Sequence, residues 1–332
     1  MAPISNQSPY PGSDQSRCRL YTLRVLRRVN IVKNLIGYLM IGAVKLMGLV
    51  SFSRAQKVGR YLGKRLASKR TRSREVARVN LNLCYPDKSE DFREALLYDT
   101  LLQNGMTGGE MGPMWGYSID KLKSLIGTVH NIELLEKALK DERGILLMSP
   151  HLGNWEIINA WLAGLSPITI MYRPAKAKNF SDWMVSRREA VGCDLVPTTR
   201  EGVKTLFETL KAGKMVGFLP DQEPKRERGV FAPFMGVDTL TPSLPHQMIQ
   251  ETGCQVLYVF GRRLPDAAGF DIHISEALPE QFDQDPVVSA TAMNKAIENC
   301  VAICPDQYQW TYKRFKRRPD DAANPYKLAK VP

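Results

Sequence analysis

The sequence has few of the residues on which metal centres and disulfide frameworks depend. It contains 4 histidines among 332 residues, and its 6 cysteines are scattered without a CxxC pair. Such spacing argues against a zinc site or a disulfide framework, and reduced thiols suit a cytosolic compartment. Cys300 and Cys304 lie one helical turn apart, which indicates a packed helix face.

Motifs that supply a side-chain nucleophile or bind a nucleotide are also missing. The sequence has no GxSxG elbow, no HExxH helix and no Walker A loop, and it shows no internal repeat. These absences argue against serine hydrolases, zinc proteases and P-loop NTPases. If the protein transfers a group, the attacking hydroxyl is expected to come from the substrate.

Composition indicates a folded, basic protein. The hydrophobic fraction of 44% supports a real core, and the formal net charge is +12. A charge of this size favours acidic partners: nucleic acid, anionic lipid, a phosphorylated substrate or an acidic carrier protein. The chain lacks an RNA-binding aromatic signature. The segment Lys313–Arg318 mixes basic and aromatic residues, a composition also found in nucleic-acid-binding segments. A position on the core that faces the membrane explains it better. We therefore expect no nucleic-acid partner.

The amino-terminal part is predicted to meet a membrane. Residues 1–16 are polar and predict a disordered tail, and an apolar run follows from Leu35 to Phe52, interrupted only by Lys45. At about 1.5 Å per residue the run roughly spans a ~30 Å hydrocarbon layer, which slightly favours a spanning helix over an amphipathic helix in the interface. A signal peptide fits less well because a cleavage site is not apparent.

Basic residues after the apolar run set the expected orientation. The stretch from Arg54 to Arg78 outweighs the basic cluster before the run, so the positive-inside rule keeps the rest of the chain cytoplasmic. A solvated helix face is the alternative explanation of this charge. We therefore divide the chain into a tail (1–16), a membrane helix with a juxtamembrane segment (17–78), a helical lead-in with an α/β domain (79–320) and a second tail (321–332).

The remaining pattern predicts an α/β fold. Residues 90–125 are predicted to be helical, with turns near Gly105–Gly116, and from residue 131 short apolar runs alternate with helical periodicity. The predicted strands are 145–149, 168–172, 195–197, 215–219, 255–260 and 270–274; the predicted helices are 132–139, 154–162, 179–191, 203–211, 244–251 and 287–303. This order predicts a mixed, largely parallel sheet flanked by helices.

A histidine and a glutamate at the end of the first of these strands form the main candidate site. His151 follows Ser149-Pro150 at once, and Glu156 lies where a helical pattern begins. The carboxyl end of a buried strand is where open α/β sheets place their sites. Asn154 is a plausible N-cap of the helix, and a non-helical turn at Gly153 is predicted to bring Glu156 back to the imidazole. A structural histidine is the alternative.

The spacing alone is weak, because His246 and Glu251 repeat it. That second pair lies inside a predicted helix, where five residues turn through roughly 500° and leave the two side chains on different faces. At His151, a neutral imidazole would take a proton from a hydroxyl while a carboxylate on its other nitrogen fixes the tautomer. The pattern therefore predicts direct acyl transfer to a substrate hydroxyl.

Six segments together resemble the bacterial late acyltransferases of lipid A synthesis, within the glycerolipid acyltransferase superfamily. The segment from His151 to Glu156 is similar to the superfamily motif His-x4-Asp/Glu, and residues 307–319 are similar to the family's closing signature. Between them lie Tyr172-Arg173-Pro174, residues 188–192, Pro220-Asp221-Gln222 and residues 231–236, in the expected order over roughly residues 35–320.

The resemblance implies an enzyme that moves a fatty acyl chain from acyl carrier protein to a hydroxyl of a Kdo-bearing, phosphorylated lipid A precursor. It implies attachment to inner-membrane lipids on the cytoplasmic face, and neither a metal nor an organic cofactor. His151 would be the base and Glu156 would orient it. Arg173 and Arg188 would hold phosphates or polarise the thioester; a strand cap or a surface ion pair is the alternative for Arg173.

Other implied site residues leave several roles open. Asp221 would bind the sugar, support an arginine or cap its loop, and Gln222 lies beside it at the same strand end. Asn154 is expected to cap the helix rather than to donate in catalysis. Two further functions remain open: acylation of a lysophospholipid or another lipid alcohol, and non-catalytic binding to a membrane surface on an acyltransferase scaffold.

Overall fold

A computed structural model describes residues 15–331, with side chains from residue 32 onward except residue 321. Residues 1–14, the larger part of the predicted tail, lie outside the described residues, while Gln15 begins the first helix. The predicted tail at 321–332 includes a short helix, α12 (Pro325–Leu328), in which Tyr326 is buried and donates a hydrogen bond to Asn80. That segment is therefore docked on the domain.

Five helices precede the first strand. They are α1 (Gln15–Leu49), α2 (Phe52–Ala67), α3 (Arg72–Cys84), α4 (Glu90–Gly116) and α5 (Ile119–Lys123). Strands and helices then alternate as β1 (Ile126–His130), α6 (Ile132–Leu139), β2 (Ile145–Met148), α7 (Glu156–Leu162), β3 (Ile168–Tyr172), α8 (Lys178–Glu189), β4 (Cys193–Pro197), α9 (Arg200–Lys211) and β5 (Met215–Phe218). The last part comprises β6 (Gly229–Phe234), β7 (Val237–Pro242), α10 (Leu244–Thr252), β8 (Gln255–Arg263), β9 (Phe270–Glu276), α11 (Pro286–Ile303) and α12.

Seven strands form one mixed sheet in the order β1-β9-β8-β2-β5-β3-β4. The five strands from β8 to β4 are parallel, β9 is antiparallel to β8, and β1 is parallel to β9. All four residues of β2 are buried, since helices cover both faces. Its side chains alternate between two cores: Leu146 and Met148 pack on the face of α3 and α11, and Ile145 and Leu147 on the face of α6 and α7. The predicted fold class is confirmed.

Two parts of the strand pattern were not predicted. β1 is a half-exposed edge strand containing a glycine, so its apolar signal is weak. β6 and β7 form a separate antiparallel hairpin, closed at Met235 and Gly236, which both have positive φ. Each hairpin strand contains a proline, a residue that argues against a central strand and is tolerated at sheet edges.

The prediction of turns near Gly105–Gly116 is wrong, because α4 continues through all of these residues to Gly116. The glycines instead let neighbouring helices approach closely. A Cβ at Gly105 would overlap the backbone of Gly59 and Gly63 on α2, and one at Gly109 would overlap the backbone of Ala55. Small residues thus serve here as a packing surface rather than as chain breakers.

One described helix has the length and apolar character needed to cross a membrane. Its segment Val32–Leu49 spans 18 residues with a mean hydropathy of 1.4, and only 6% of it is buried. The helix nevertheless contacts the domain near both ends of this segment: Asn179 on α8 donates to the carbonyl of Asn34, and Gly48 packs on Gly112 of α4.

Helix α2 exposes apolar side chains among its basic residues. Its buried face, which includes Phe52, Ala55 and Gly59, packs towards α4. Its outer face exposes Val58, Tyr61, Leu62 and Leu66 together with arginines and lysines. Together with α1, this face gives the protein an apolar and basic surface typical of membrane-associated helices.

Candidate active site

The candidate residues meet at one edge of the sheet, where parallel strands end. His151 follows β2, Asp221 follows β5 and Arg173 follows β3. Since β2 and β5 pair in register as far as Met148 and Phe218, the loops after them leave the sheet side by side. The geometry is the one expected of an open α/β sheet, in which sites lie at the strands' carboxyl ends.

The carboxylate that contacts the histidine belongs to Asp221, not to Glu156. His151 Nδ1 lies 2.7 Å from Asp221 Oδ1, and the backbone N–H of His151 donates to Oδ2 at 2.9 Å. Asp221 is only 3% exposed. Burial acts to raise the pKa of this carboxyl, but the charge and hydrogen bonds of His151 outweigh it, so the pKa lies below its usual value. An ionised Asp221 favours the proton on Nδ1 and leaves Nε2 as the basic nitrogen.

Glu156 makes a different ion pair, so the predicted contact with His151 is wrong. Both of its carboxylate oxygens accept hydrogen bonds from the guanidinium of Arg188, with Arg188 Nε 3.0 Å from Oε2. Trp115 Nε1 donates to the same Oε2 at 3.1 Å. Burial acts to raise the pKa of Glu156, but Arg188 and the Trp115 hydrogen bond reverse the effect, and the pKa is lowered.

The turn between the two residues explains their separation. Gly153 has a φ of 62°, and a Cβ there would overlap the carbonyl oxygen of Gly261 on β8. Helix α7 then starts at Glu156, and the side chain of Asn154 accepts the backbone N–H of Glu156 at 3.0 Å. Asn154 was predicted as the N-cap, but the N-cap position is Trp155, and Asn154 accepts the first N–H of the helix from one residue earlier. The turn directs Glu156 to Arg188 on α8, while His151 contacts the loop after β5.

A second, sealed ion pair lies behind the turn. Arg263 of β8 binds both oxygens of Glu110 of α4, at 2.5 and 2.6 Å, and their side chains are 2% and 0% exposed. Asn154 Nδ2 donates to Glu110 Oε2 at 2.8 Å, which ties the pair to the turn. Gln56 of α2 donates to the other oxygen at 2.8 Å. The position of Glu110 inside α4 and its buried arginine partner become apparent only in the fold.

The closing segment also supports the turn. The backbone N–H of Gln309 donates to the carbonyl of His151 at 3.0 Å, and the N–H of Gly153 donates to the carbonyl of Gln307 at 3.1 Å. Arg314 and Phe315 are buried, Arg314 donating to the carbonyl of Leu240 at 3.1 Å. The expectation that Lys313–Arg318 faces a membrane is therefore wrong for these two residues, which hold the core together.

A cleft of about 670 Å³ opens in front of His151. Apolar side chains from four strands and a helix form much of its wall: Leu147, Ile158, Ile168, Ile170, Phe218 and Val259. Arg173, Lys225 and Arg228 add exposed basic groups, and Arg188, whose side chain is 16% exposed, adds a largely buried one. The cleft thus combines an apolar interior with cations, the combination needed for an anionic amphiphile.

Two cleft residues, Ser149 and Trp155, had no clear signal in the sequence. Ser149 follows β2 directly, and its buried hydroxyl has no hydrogen-bond partner within residues 32–331. Trp155 packs edge-on to the imidazole at a centroid distance of 5.0 Å. Gln222 Nε2 lies 3.2 Å from His151 Nε2, so the predicted Gln222 does reach the histidine. Serine and tryptophan occur widely in such segments, and only the fold places these two beside the base.

The second His-x4-Glu copy lies elsewhere. His246 and Glu251 are both within α10 (Leu244–Thr252), as predicted, and His246 is partly buried while Glu251 is exposed. Of the cysteines, the five whose side chains are described are all buried and unpaired, which confirms the absence of disulfides among Cys84, Cys193, Cys254, Cys300 and Cys304.

The sequence resembles those of known proteins over most of its length. The sequence matches the family described as "Bacterial lipid A biosynthesis acyltransferase" over residues 24–317. The chain belongs to this family. Similar relatives include the lipid A biosynthesis palmitoleoyltransferase of Escherichia coli K12, 28% identical over 75% of this chain and 80% of the relative. The lauroyltransferase of the same organism is 27% identical over 87% and 94%, and an acyltransferase of Haemophilus influenzae is 29% identical over 74% and 78%.

The family match covers the turn between His151 and Glu156, the residues that line the cleft and most of the closing segment. The match begins within α1 and ends at residue 317, so it includes the helical lead-in as well as the sheet. All of the residues that form the two ion pairs and the His151–Asp221 contact lie inside it.

Proposed function

We propose that this lipid A acyltransferase moves a fatty acyl chain from an acyl-carrier-protein thioester to a hydroxyl of a Kdo-bearing, phosphorylated lipid A precursor. The observation that carries the proposal is the His151 imidazole, held through Nδ1 by buried Asp221, beside a cleft that is apolar inside and basic at exposed positions. The identity of the family supports the reaction class. Donor, acceptor and residue roles are our inference from the site's chemistry and from the resemblance.

His151 acts as the general base in this proposal. Its Nε2 takes the proton of the acceptor hydroxyl as the oxygen attacks the thioester carbonyl. The tetrahedral intermediate collapses with cleavage of the carbon–sulfur bond, and the proton passes from the imidazolium to the departing thiolate of the carrier's prosthetic group. Asp221 stabilises the imidazolium and keeps the ring oriented.

Glu156 has a supporting role in this scheme. It holds the guanidinium of Arg188 through both carboxylate oxygens, so the rest of the arginine is fixed where it lines the cleft. Arg188 is then placed to stabilise negative charge on the thioester oxygen or on an acceptor phosphate. Arg173 is exposed and borders the same cleft, where it suits phosphate binding.

The basic surface suits both macromolecular contacts. Acyl carrier protein is acidic, and the exposed Lys225 and Arg228 border the cleft through which its prosthetic group would enter. Such association should weaken as salt rises, because screening shortens the range of the attraction. The same cations suit the phosphates of the acceptor.

We infer that the enzyme works on the cytoplasmic face of the inner membrane. The exposed apolar faces of α1 and α2 support insertion into lipid, and the basic residues of α2 suit anionic headgroups. The contacts of α1 with α8 and α4 near both ends of its apolar segment favour a helix lying along the domain, in contrast to the slight preference for spanning drawn from sequence.

The test is an assay of purified enzyme with acyl-carrier-protein donors and a phosphorylated lipid A precursor. We expect His151→Ala to lose about 10²–10⁴-fold in turnover with folding retained, since a general base contributes about that much. His246→Ala is the matched control and should retain wild-type turnover, because α10 keeps it outside the cleft lining.

Three outcomes would change the proposal. Equal turnover of His151→Ala and wild type would exclude the base. Activity only with a lysophospholipid would change the acceptor, and lipid binding without turnover on either acceptor would indicate a binding protein. Mass spectrometry of lipid A from a deletion strain would then identify the acyl chain that the enzyme adds.

A further inference from the structure

A cluster of potential metal ligands lies on the β1–β9 edge of the sheet. His130, the last residue of β1, is the register partner of His273 on β9. Asp271 precedes His273 by two residues, so its side chain leaves the strand on the same face. Each of the three side chains offers one ligand atom, and these atoms all lie within 4.8 Å of one another.

The cluster has unused hydrogen-bonding capacity. The His130 and His273 rings stack at 4.2 Å between centroids with an interplanar angle of 18°. His130 Nε2 is 3.7 Å from Asp271 Oδ2, which is too long for a hydrogen bond. His273 Nε2 is buried and lacks a hydrogen-bond partner within the described part of the chain. Buried polar atoms are nearly always satisfied, and an ion is one of the groups that satisfy them.

Local contacts prepare these groups for a cation. The backbone N–H of Thr128 donates to Asp271 Oδ1 at 2.8 Å, which orients the carboxylate and leaves Oδ2 on the side of His130.

We propose that His130, Asp271 and His273 bind a divalent transition-metal ion of the zinc class, with water completing the coordination. Two imidazoles and one carboxylate are ligands that suit Zn²⁺, and Co²⁺ accepts the same donors. Zn–N bonds are about 2.0–2.1 Å, so the ligand atoms must close on the ion, and the side chain of His130, 42% exposed, is free to rotate towards it.

This site is separate from the catalytic cleft. β8 lies between β9 and β2, and none of the three ligands lines the cleft. A bound ion would link edge strand β1 to β9, so its role is to secure the edge of the sheet rather than to take part in acyl transfer. Arg262, the register partner of Asp271 on β8, is the neighbouring positive charge and would limit the affinity.

The test uses untagged full-length protein in detergent, treated with a chelator and then titrated with Zn²⁺ by calorimetry and with Co²⁺ by visible absorption. We expect one ion per chain, the d–d bands of a low-coordinate Co²⁺ site and a higher melting temperature with Zn²⁺. His130→Ala should weaken Zn²⁺ binding by about tenfold or more, because even the loss of an outer-shell partner costs that much. His246→Ala is the matched control and should bind as the wild type does.

Two results would overturn the site. One is a wild-type protein that shows no saturable binding of one ion per chain. The other is a His130→Ala variant that binds Zn²⁺ with unchanged affinity, which would place the ion elsewhere. Exposed His130 is the preferred position because its replacement leaves the core intact, and Asp271→Asn provides a second variant whose folding is checked by circular dichroism.

Discussion

The two sides of the turn between His151 and Glu156 use the same kind of ion pair for different purposes. On the cleft side, Glu156 is 5% exposed and its partner Arg188 lines the cavity. On the rear side, Glu110 and Arg263 are sealed, and the spare hydrogen bonds of Glu110 go to Gln56 and Asn154. An arginine that is open on one side can meet a substrate, whereas a fully enclosed one can only hold the protein in place.

Asp221→Asn is expected to give the largest effect, and it tests the cleft side. An amide can donate to His151 Nδ1 instead of accepting from it, which places the wrong tautomer at Nε2. We expect turnover to fall by about 10²–10⁴-fold, as for loss of the base itself, and the melting temperature to fall modestly, because the amide keeps a hydrogen bond to the His151 backbone but loses the charge; in a serine protease the corresponding change costs about 10⁴. Steady-state kinetics beside thermal unfolding measures both, and near wild-type turnover would show that Asp221 does not orient the base.

Glu110→Ala tests the rear side and should reverse this pattern. Removing one partner leaves Arg263 buried without its counter-charge, a loss of about 3–5 kcal/mol in the free energy of unfolding. Denaturant unfolding in detergent measures the loss. The double variant Glu110→Leu with Arg263→Met should recover much of it, because well-packed apolar residues often replace a buried pair at little cost.

A Glu110→Ala variant as stable as the wild type would contradict the role assigned to the rear pair. A stable double variant that remains slow would show that the pair also positions the turn through Asn154.

The smallest effect is expected in the pH dependence of unfolding in acid. This measurement tests whether the ionised carboxylates of Glu156 and Asp221 stabilise the fold. The pKa of Glu156 and that of Asp221 are both lowered in the fold. Their contribution to stability is therefore complete above the ordinary carboxyl pKa of about 4 and is lost as the pH falls through the lower folded values. Glu156→Gln should flatten the pH dependence of unfolding below about pH 4, and an unchanged slope would argue against the lowered pKa.

Local patterns predicted the elements of this fold better than the contacts between them. The buried strand before His151 and the helix after it both follow from neighbouring residues, and the structure confirms them. The partner of His151 does not, because Asp221 is 70 residues away and reaches the histidine only through the parallel pairing of β2 and β5. Spacing suggested Glu156, the nearer carboxylate, whose true partner Arg188 is on another helix.

Glycine shows the same limit of sequence analysis in the helical lead-in. Gly105 and Gly109 suggest turns when read alone, since glycine weakens a helix. Their meaning depends on Gly59 and Gly63 of α2, which face them across the helix interface. No local pattern contains that information, because the two glycine sets lie on separate helices.

The glycine contact between α2 and α4 has a mechanical consequence. At these glycines the backbones of α2 and α4 are in direct contact, without a flexible side chain between them. A displacement of one helix is therefore transmitted to the other. Helix α2 carries the outward apolar and basic face, and α4 carries Glu110, which binds Asn154 in the turn after His151. The depth at which α2 binds a bilayer would therefore fix the distance between the His151 imidazole and the lipid surface.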